Sequence, residues 1–356
     1  MSSAPAGSAQ TAPLAASPMT AALNAASCTS ATSCFAVGAS FAGPGPGKTL
    51  VERWNGKAWS TVFSPNPPGG AVLNGVSCPS ATFCFAVGVH EATKTSYSSA
   101  VMERWNGKTW SIVASPSAVH RDLLSVSCTG ATFCFAVGGG AIERWNGSKW
   151  SIVTGPAFSP TSVSCASTTA CFASGVRGGA ARWDGKAWSA VPTPKPADPV
   201  DEAFGLFGVS CSSPTICFAV GVDSEPVGSF STLVERWNGS RWSRVASPSG
   251  DSFNAVSCAS PTSCAAVGTF STAGNNGPLQ NPMAEQWNGT TWSEVASPKP
   301  AGTYGPFNGV SCTSPTSCFA VGYAQLLLPG PYDAFGPSHT LIEQWNGSSW
   351  AIVPSP

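Results

Sequence analysis

One unit, repeated seven times, constrains this chain more than any other feature. Two cysteines six positions apart are followed by a short apolar run ending in glycine. After an insert of variable length comes W-[ND]-G-x-x-W. The cysteine pairs are Cys28 and Cys34, Cys78 and Cys84, Cys128 and Cys134, Cys165 and Cys171, Cys211 and Cys217, Cys258 and Cys264, and Cys312 and Cys318. The tryptophan pairs are Trp54 and Trp59, Trp105 and Trp110, Trp145 and Trp150, Trp183 and Trp188, Trp237 and Trp242, Trp287 and Trp292, and Trp345 and Trp350. No cysteine or tryptophan of the 356 residues lies outside these pairs. First cysteines are separated by 37 (Cys128 to Cys165) to 54 (Cys258 to Cys312) residues, which suits a propeller blade of four strands.

The second repeat shows the strands. LNGVSC (73–78) is small enough for a crowded innermost strand, and CFAVGV (84–89) is apolar enough to be buried. VMERWN (101–106) and TWSIVAS (109–115) follow, joined at Asn106-Gly107, a signal for a type I′ hairpin with positive φ at both positions. Long helical periodicity is absent, and 38 glycines and 31 prolines oppose helices. A solenoid would want shorter, more uniform repeats and capping units. The expectation is an all-β, seven-bladed β-propeller of four-stranded antiparallel blades. A flexible Ala/Ser/Pro leader covers 1–20, and a single propeller domain covers 21–356. Its blades run over about 21–66, 67–117, 118–156, 157–195, 196–248, 249–298 and 299–356.

The order "apolar strand ending in Gly, variable loop, E-R-W-N-G-x-x-W-S-x-V" resembles a kelch-type blade, the class that includes the galactose-oxidase propeller. The likeness is strongest in CFAVGGGAIERWNGSKWSIV, Cys134 to Val153. Elsewhere Ala-Val-Gly usually replaces Gly-Gly, and the cysteine pair is extra. The whole S-C-x5-C-F-A-V-G…W-N-G-x-x-W unit also resembles secreted repeat proteins of actinobacterial type. The resemblance spans residues 23–356 and implies the fold rather than an activity, since propellers host unrelated functions. A galactose-oxidase copper site would need two His, two Tyr and a spare cysteine, and the pairing leaves none spare.

Lys+Arg and Asp+Glu both number 17, so the chain lacks the basic footprint that nucleic-acid backbones require. No stretch reaches the roughly 20 apolar residues of a membrane helix; Leu326-Leu327-Leu328 is far too short. The leader MSSAPAGSAQTAPLAASP has no basic start and no apolar core, so any secretory signal would already have been removed.

Each cysteine pair flanks a five-residue turn between antiparallel strands, where opposed Cα atoms lie within disulfide range. Zinc would need two such pairs converging, or nearby histidines, and only three His exist. Disulfides are therefore preferred to free thiols and to metal, and they imply an oxidising, extracellular or cell-surface location. The tryptophans invite a sugar-stacking reading, but their use in every blade suits packing between blades, as diagonal neighbours across a two-residue hairpin. Glu52, Glu103, Glu143, Glu235, Glu285 and Glu343 stand two positions before the first Trp, and Arg53, Arg104, Arg144, Arg182 and Arg236 one before. A Glu–Arg ladder across the interfaces is geometrically possible.

Strand alternation places the cysteine and Asn-Gly turns on one face of the disc. The other face takes the variable loops, where repeat proteins usually bind. All three histidines and all four tyrosines fall there, a distribution that plain loop polarity also explains. Four positions before each first cysteine lies the channel mouth, holding Asn24, Asn74, Asn254 and Asn308 with Leu124, Thr161 and Phe207. This is either a polar cradle for a ligand or a set of turn caps. With Phe207, Tyr304 and Tyr323, the four asparagines are the candidate ligand contacts.

No G-x-S-x-G, H-E-x-x-H, P-loop or EF-hand motif is present. The expected function is a monomeric binding propeller for a glycan, small molecule or protein, without cofactor or metal. The rivals are a hydrolase or lyase using His120, Asp122, Asp201 and His339, and a purely structural scaffold.

Overall fold

The computed structural model describes residues 20–356 apart from 44, 91–98, 117–121, 195–203, 226–228, 249, 275–276 and 329–333. The Ala/Ser/Pro leader thus lies outside the described residues but for Thr20, which already belongs to the first strand. Seven four-stranded antiparallel sheets follow one another along the chain, one for each repeat. The second blade runs Ala71–Ser80, Phe83–His90, Ser99–Trp105 and Trp110–Ile112 from axis to rim. The fourth strand is shorter than its sequence suggests, three residues in every blade. Blade 7 gains a two-residue extra strand, Thr303–Tyr304, paired with Leu326 and Gln325.

Tryptophans, cysteines and glycines each have a fixed task. The two tryptophans of a blade sit directly opposite one another, not diagonally, as in Trp54↔Trp59. In every blade but the seventh, where Ala265 takes its place, they enclose a phenylalanine of the preceding blade: Phe35 lies 5.1 and 5.3 Å from Trp105 and Trp110. In every blade but the fifth the first tryptophan also donates its indole N–H to the cysteine turn, as Trp105 does to the Ala81 carbonyl. Asn-Gly is not a type I′ hairpin. The loop between the tryptophans has four residues, and Asn106 Oδ1 accepts the amides of Lys108 and Thr109. Of its residues only the glycine has positive φ. Asp184 does the same work in blade 4, and those amide hydrogen bonds hold its carboxyl below its ordinary value.

All seven cysteine pairs are disulfides, one in each blade. Cys28 is joined to Cys34, Cys78 to Cys84, Cys128 to Cys134 and Cys165 to Cys171. Cys211 is joined to Cys217, Cys258 to Cys264 and Cys312 to Cys318. Their Cα atoms lie 4.0–4.1 Å apart, because the two strands bring each pair directly opposite across the turn. The second cysteine of each pair is buried and the first is more open, so the bridge ties the rim of the turn to the blade interior.

The serine before each first cysteine accepts the first-cysteine amide of the following blade. Ser27 takes Cys78, Ser77 takes Cys128, and the series continues until Ser311 takes Cys28. These seven hydrogen bonds form a closed girdle, which explains why Ser-Cys recurs in every repeat. Replacing Ser77 by alanine strands one sheltered amide and should cost about 1–2 kcal/mol in urea unfolding, whereas exposed Ser111→Ala should be near neutral.

The proposed Glu–Arg ladder is absent among the described residues. Arg53, Arg104, Arg144 and Arg236 instead lie against aromatic rings, Arg53 over Phe35 and Trp105 at 5.6 Å from each centroid. The glutamates are buried, at 0–1% exposure, and turn toward the preceding blade. There the serine of a Ser-Pro step donates to them: Ser64 to Glu103, Ser115 to Glu143, Ser247 to Glu285, Ser297 to Glu343 and Ser355 to Glu52. Blade 4 has Ala181 in place of glutamate, and the preceding blade correspondingly has Gly155 in place of serine. Thr193 stands before Glu235 but donates to the Gly178 carbonyl. Among the described residues no hydrogen-bond donor reaches either oxygen of Glu235.

The ring closes without exchanging a strand. Blade 1 is built wholly from Thr20–Ser30, Ser33–Phe41, Lys48–Trp54 and Trp59–Thr61. It packs Leu23, Trp54 and Trp59 against Phe319, Val321 and Ile342 of blade 7.

Candidate functional site

The channel mouth is made by β-bulges. In blade 1 Leu23 pairs with Gly38 and Ala25 with Val37, leaving Asn24 as the extra residue. The chain is so tight here that a Cβ on Gly88, the equivalent of Gly38 in blade 2, would lie 1.9 Å from the Val72 carbonyl oxygen. This requirement fixes the glycine that ends the apolar motif. The bulge swings the asparagine toward the next blade: Asn24, Asn74, Asn254 and Asn308 donate to the carbonyls of Leu73, Leu123, Phe307 and Leu23. Thr161 does likewise to Leu206. The mouth, about 150 Å³ and lined also by Leu124 and Phe207, is thus walled by groups that join blade to blade.

A second concavity lies on the loop-rich face, where blades 6 and 7 raise long hairpins. Ser263–Gly274 pairs with Gly277–Trp287, and Ser317–Leu328 with Ala334–Trp345. The extra strand Thr303–Tyr304 runs along the second hairpin, and the Gly305 amide donates to the Gln280 carbonyl of the first. Tyr304, Tyr323, Gln280, Gln325, Phe335 and Pro278 consequently line one cleft of about 250 Å³. Burial pushes the Tyr323 phenol up from its ordinary pKa. Lys299 holds its ammonium 3.9 Å from the centre of the Tyr304 ring and donates to Asn281. Burial lowers its pKa. Two tyrosines, two amides and a half-exposed phenylalanine offer flat apolar area with hydrogen-bonding tips, and no group in the set is a strong acid or base.

A third concavity, about 910 Å³, lies between blades 7 and 1. His339 lines it, while Asp122 precedes the innermost strand of blade 3. His120 and Asp201 lie outside the described residues. Among the described residues no three of His, Cys, Asp and Glu come together as a metal site, and no helix is long and apolar enough to cross a membrane. Sequence reasoning named Tyr304 and Tyr323 together but set them with the channel-mouth asparagines, and it missed Gln280, Gln325 and Phe335, because this cleft depends on the two-residue extra strand.

The molecule is a seven-bladed β-propeller. Solved structures similar to it include "YCF48 bound to D1 peptide", with TM-score 0.55 and 13% identity over 86% of this chain and 92% of that one. "Structure of U3-55K" aligns with TM-score 0.58 and 10% identity over 94% and 95%. The WD40 propeller domain of Doa1 aligns with TM-score 0.57 and 9% identity over 86% and 92%. At such identity the likeness is one of fold. No family model matches the sequence, and the search of curated proteins found no match.

Proposed function

We propose that this propeller is a protein-binding scaffold that meets its partner with the loop-rich face, at the aromatic cleft between the raised hairpins of blades 6 and 7. One observation carries the reading: the blade 7 hairpin holds Phe335, Leu326 and Leu328 exposed at 49, 42 and 39%, beside a cleft lined by two tyrosines. Exposed aromatic and aliphatic groups around a concave centre are what protein partners use as anchors. The channel-mouth asparagines already hold the blades together, which favours the cleft over the mouth. The similar propeller described as bound to the D1 peptide supports a peptide ligand. Seven disulfides favour an extracellular or cell-surface setting.

Selecting a random-peptide display library against the immobilised protein tests this reading. Binders should emerge, and Tyr323→Ala should weaken them about tenfold or more, the loss typical of an anchor residue. Saturable glycan binding lost in the same variant, with no peptide binders, would replace the partner by a sugar. Turnover lost in His339→Ala would favour the hydrolase or lyase alternative.

A further inference from the structure

The equal totals of acidic and basic residues conceal an uneven division across the disc. On the face of the cysteine and tryptophan turns, blades 1 to 5 each place an exposed cation in the turn between the tryptophans: Lys57, Lys108, Lys149, Lys186 and Arg241. The same five blades carry an arginine just before the first tryptophan: Arg53, Arg104, Arg144, Arg182 and Arg236. Blades 6 and 7 lose both together. Gln286 and Gln344 take the arginine position there, and only Gly, Thr and Ser follow Asn288 and Asn346 in the turn. Ten of the 17 basic residues thus gather at one end of five neighbouring blades. Asp184 is the one acid in the cysteine and tryptophan turns, all of which belong to the described residues.

These cations stand on fixed backbone. Each turn cation donates its own amide to Oδ1 of the Asn or Asp that opens the turn, as Lys108 does to Asn106 and Arg241 to Asn238. Arg53, Arg104, Arg144 and Arg236 each reach over a tryptophan of the following blade, so guanidinium groups at the junctions alternate with the turn cations. The buried Nε atoms of all five arginines find no acceptor, and among the described residues no ion pair holds any of the ten. Like charges repeated without internal partners raise the potential along the arc.

The form of the arc specifies what fits. Cations repeated blade by blade match an extended chain of anionic groups rather than one small anion. The 14 tryptophans are buried, and no large hydrophobic residue is exposed in these turns, so the face lacks the groups that enter a bilayer. The disulfides favour a setting outside the cytosol, where acidic polysaccharides are abundant and nucleic acid is scarce.

We propose that the turn face of blades 1 to 5 is a docking surface for a linear acidic polysaccharide, whose carboxylate or sulfate groups follow the arc of lysines and arginines. The proposal goes beyond the protein-binding reading and uses the opposite face of the disc. A partner held at the tyrosine cleft and a polysaccharide held here would not compete.

Fluorescence anisotropy of a labelled heparin oligosaccharide and of a labelled polygalacturonate oligomer, each titrated with the 356-residue protein, tests it. Saturable binding to at least one is expected, falling about tenfold or more between roughly 50 and 200 mM salt, the drop that neutralising two or more anionic groups produces. Replacing the five turn cations together, by Lys57→Ser, Lys108→Ser, Lys149→Ser, Lys186→Ser and Arg241→Ser, should weaken binding about tenfold or more and flatten its salt dependence. These side chains are exposed, so the five-site variant should keep the parent melting temperature. Thr291→Lys with Ser349→Lys extends the arc into blades 6 and 7 and should strengthen binding about twofold or more. Lys48→Gln and Tyr323→Ala, both away from the arc, should leave it unchanged. Absence of binding to both polysaccharides, or binding indifferent to the five-site variant, overturns the proposal without touching the cleft reading. Tighter binding to a DNA oligonucleotide of equal charge, or to phosphatidylglycerol vesicles, also overturns it and puts nucleic acid or a membrane in the polysaccharide's place.

Discussion

Between pH 5 and pH 8 the melting temperature should fall as the solution becomes more alkaline. Burial is the main cause, raising Glu52 and Glu103 to about 7, and Glu235, Glu285 and Glu343 to about 8, from an ordinary 4.5. The serine hydrogen bonds oppose this only in part, and for Glu235 the field of Arg244 does so. These carboxyls keep their protons in the folded ring after the unfolded chain has released them. The stability they contribute is therefore complete below about 4.5 and is lost as pH rises through 7 to 8. Each adds roughly 1.4 kcal/mol per pH unit to the slope within that window. Glu103→Gln keeps an acceptor for Ser64 and removes one titrating group, so its profile should be shallower. Converting all five to glutamine should nearly level it. Scanning calorimetry across the range checks this, and a level parent profile would rule out a buried neutral layer.

Complete reduction should unfold the protein. Each disulfide closes a short loop, with partners six positions apart, and contributes roughly 2 kcal/mol by restricting the unfolded chain. Seven together approach roughly 15 kcal/mol, as large as the entire net stability of most domains, about 5–15 kcal/mol. Without reductant, an alkylating reagent should leave the intact mass unchanged even in denaturant. With reductant, all fourteen cysteines should react and far-ultraviolet circular dichroism should show loss of the sheet. A fully alkylated protein that keeps its spectrum and melting temperature would show that the hydrophobic wedges and the serine girdle suffice.

Features that recur at fixed offsets are visible in the amino-acid sequence alone. The cysteine and tryptophan pairs define the blades, and the strand order follows from them. The girdle is also legible there, because serine precedes every first cysteine, although its partner lies a whole blade away. So is the Ser–Glu contact: Gly155 and Ala181 lose its two halves together. Bulges are not. Whether Asn24 faces a ligand or the next blade depends on one skipped register position, which leaves no mark on residue type. The type I′ reading of Asn-Gly fails for a related reason: the asparagine side chain joins its backbone amide in closing a four-residue loop. The tyrosine cleft rests on one short pairing in one blade, and a unique feature has no repeat to reveal it.

Because no strand is shared across the ring closure, the seven blades are interchangeable links in a chain fastened to itself by the same clasp used between its members. Ser311 grips Cys28 as Ser27 grips Cys78, and Ser355 meets Glu52 as Ser64 meets Glu103. The position of the ends is then incidental to the architecture. Joining the present termini and opening the chain at another Ser-Pro step would preserve every sheet, and such a rearranged gene would still encode the same closed disc.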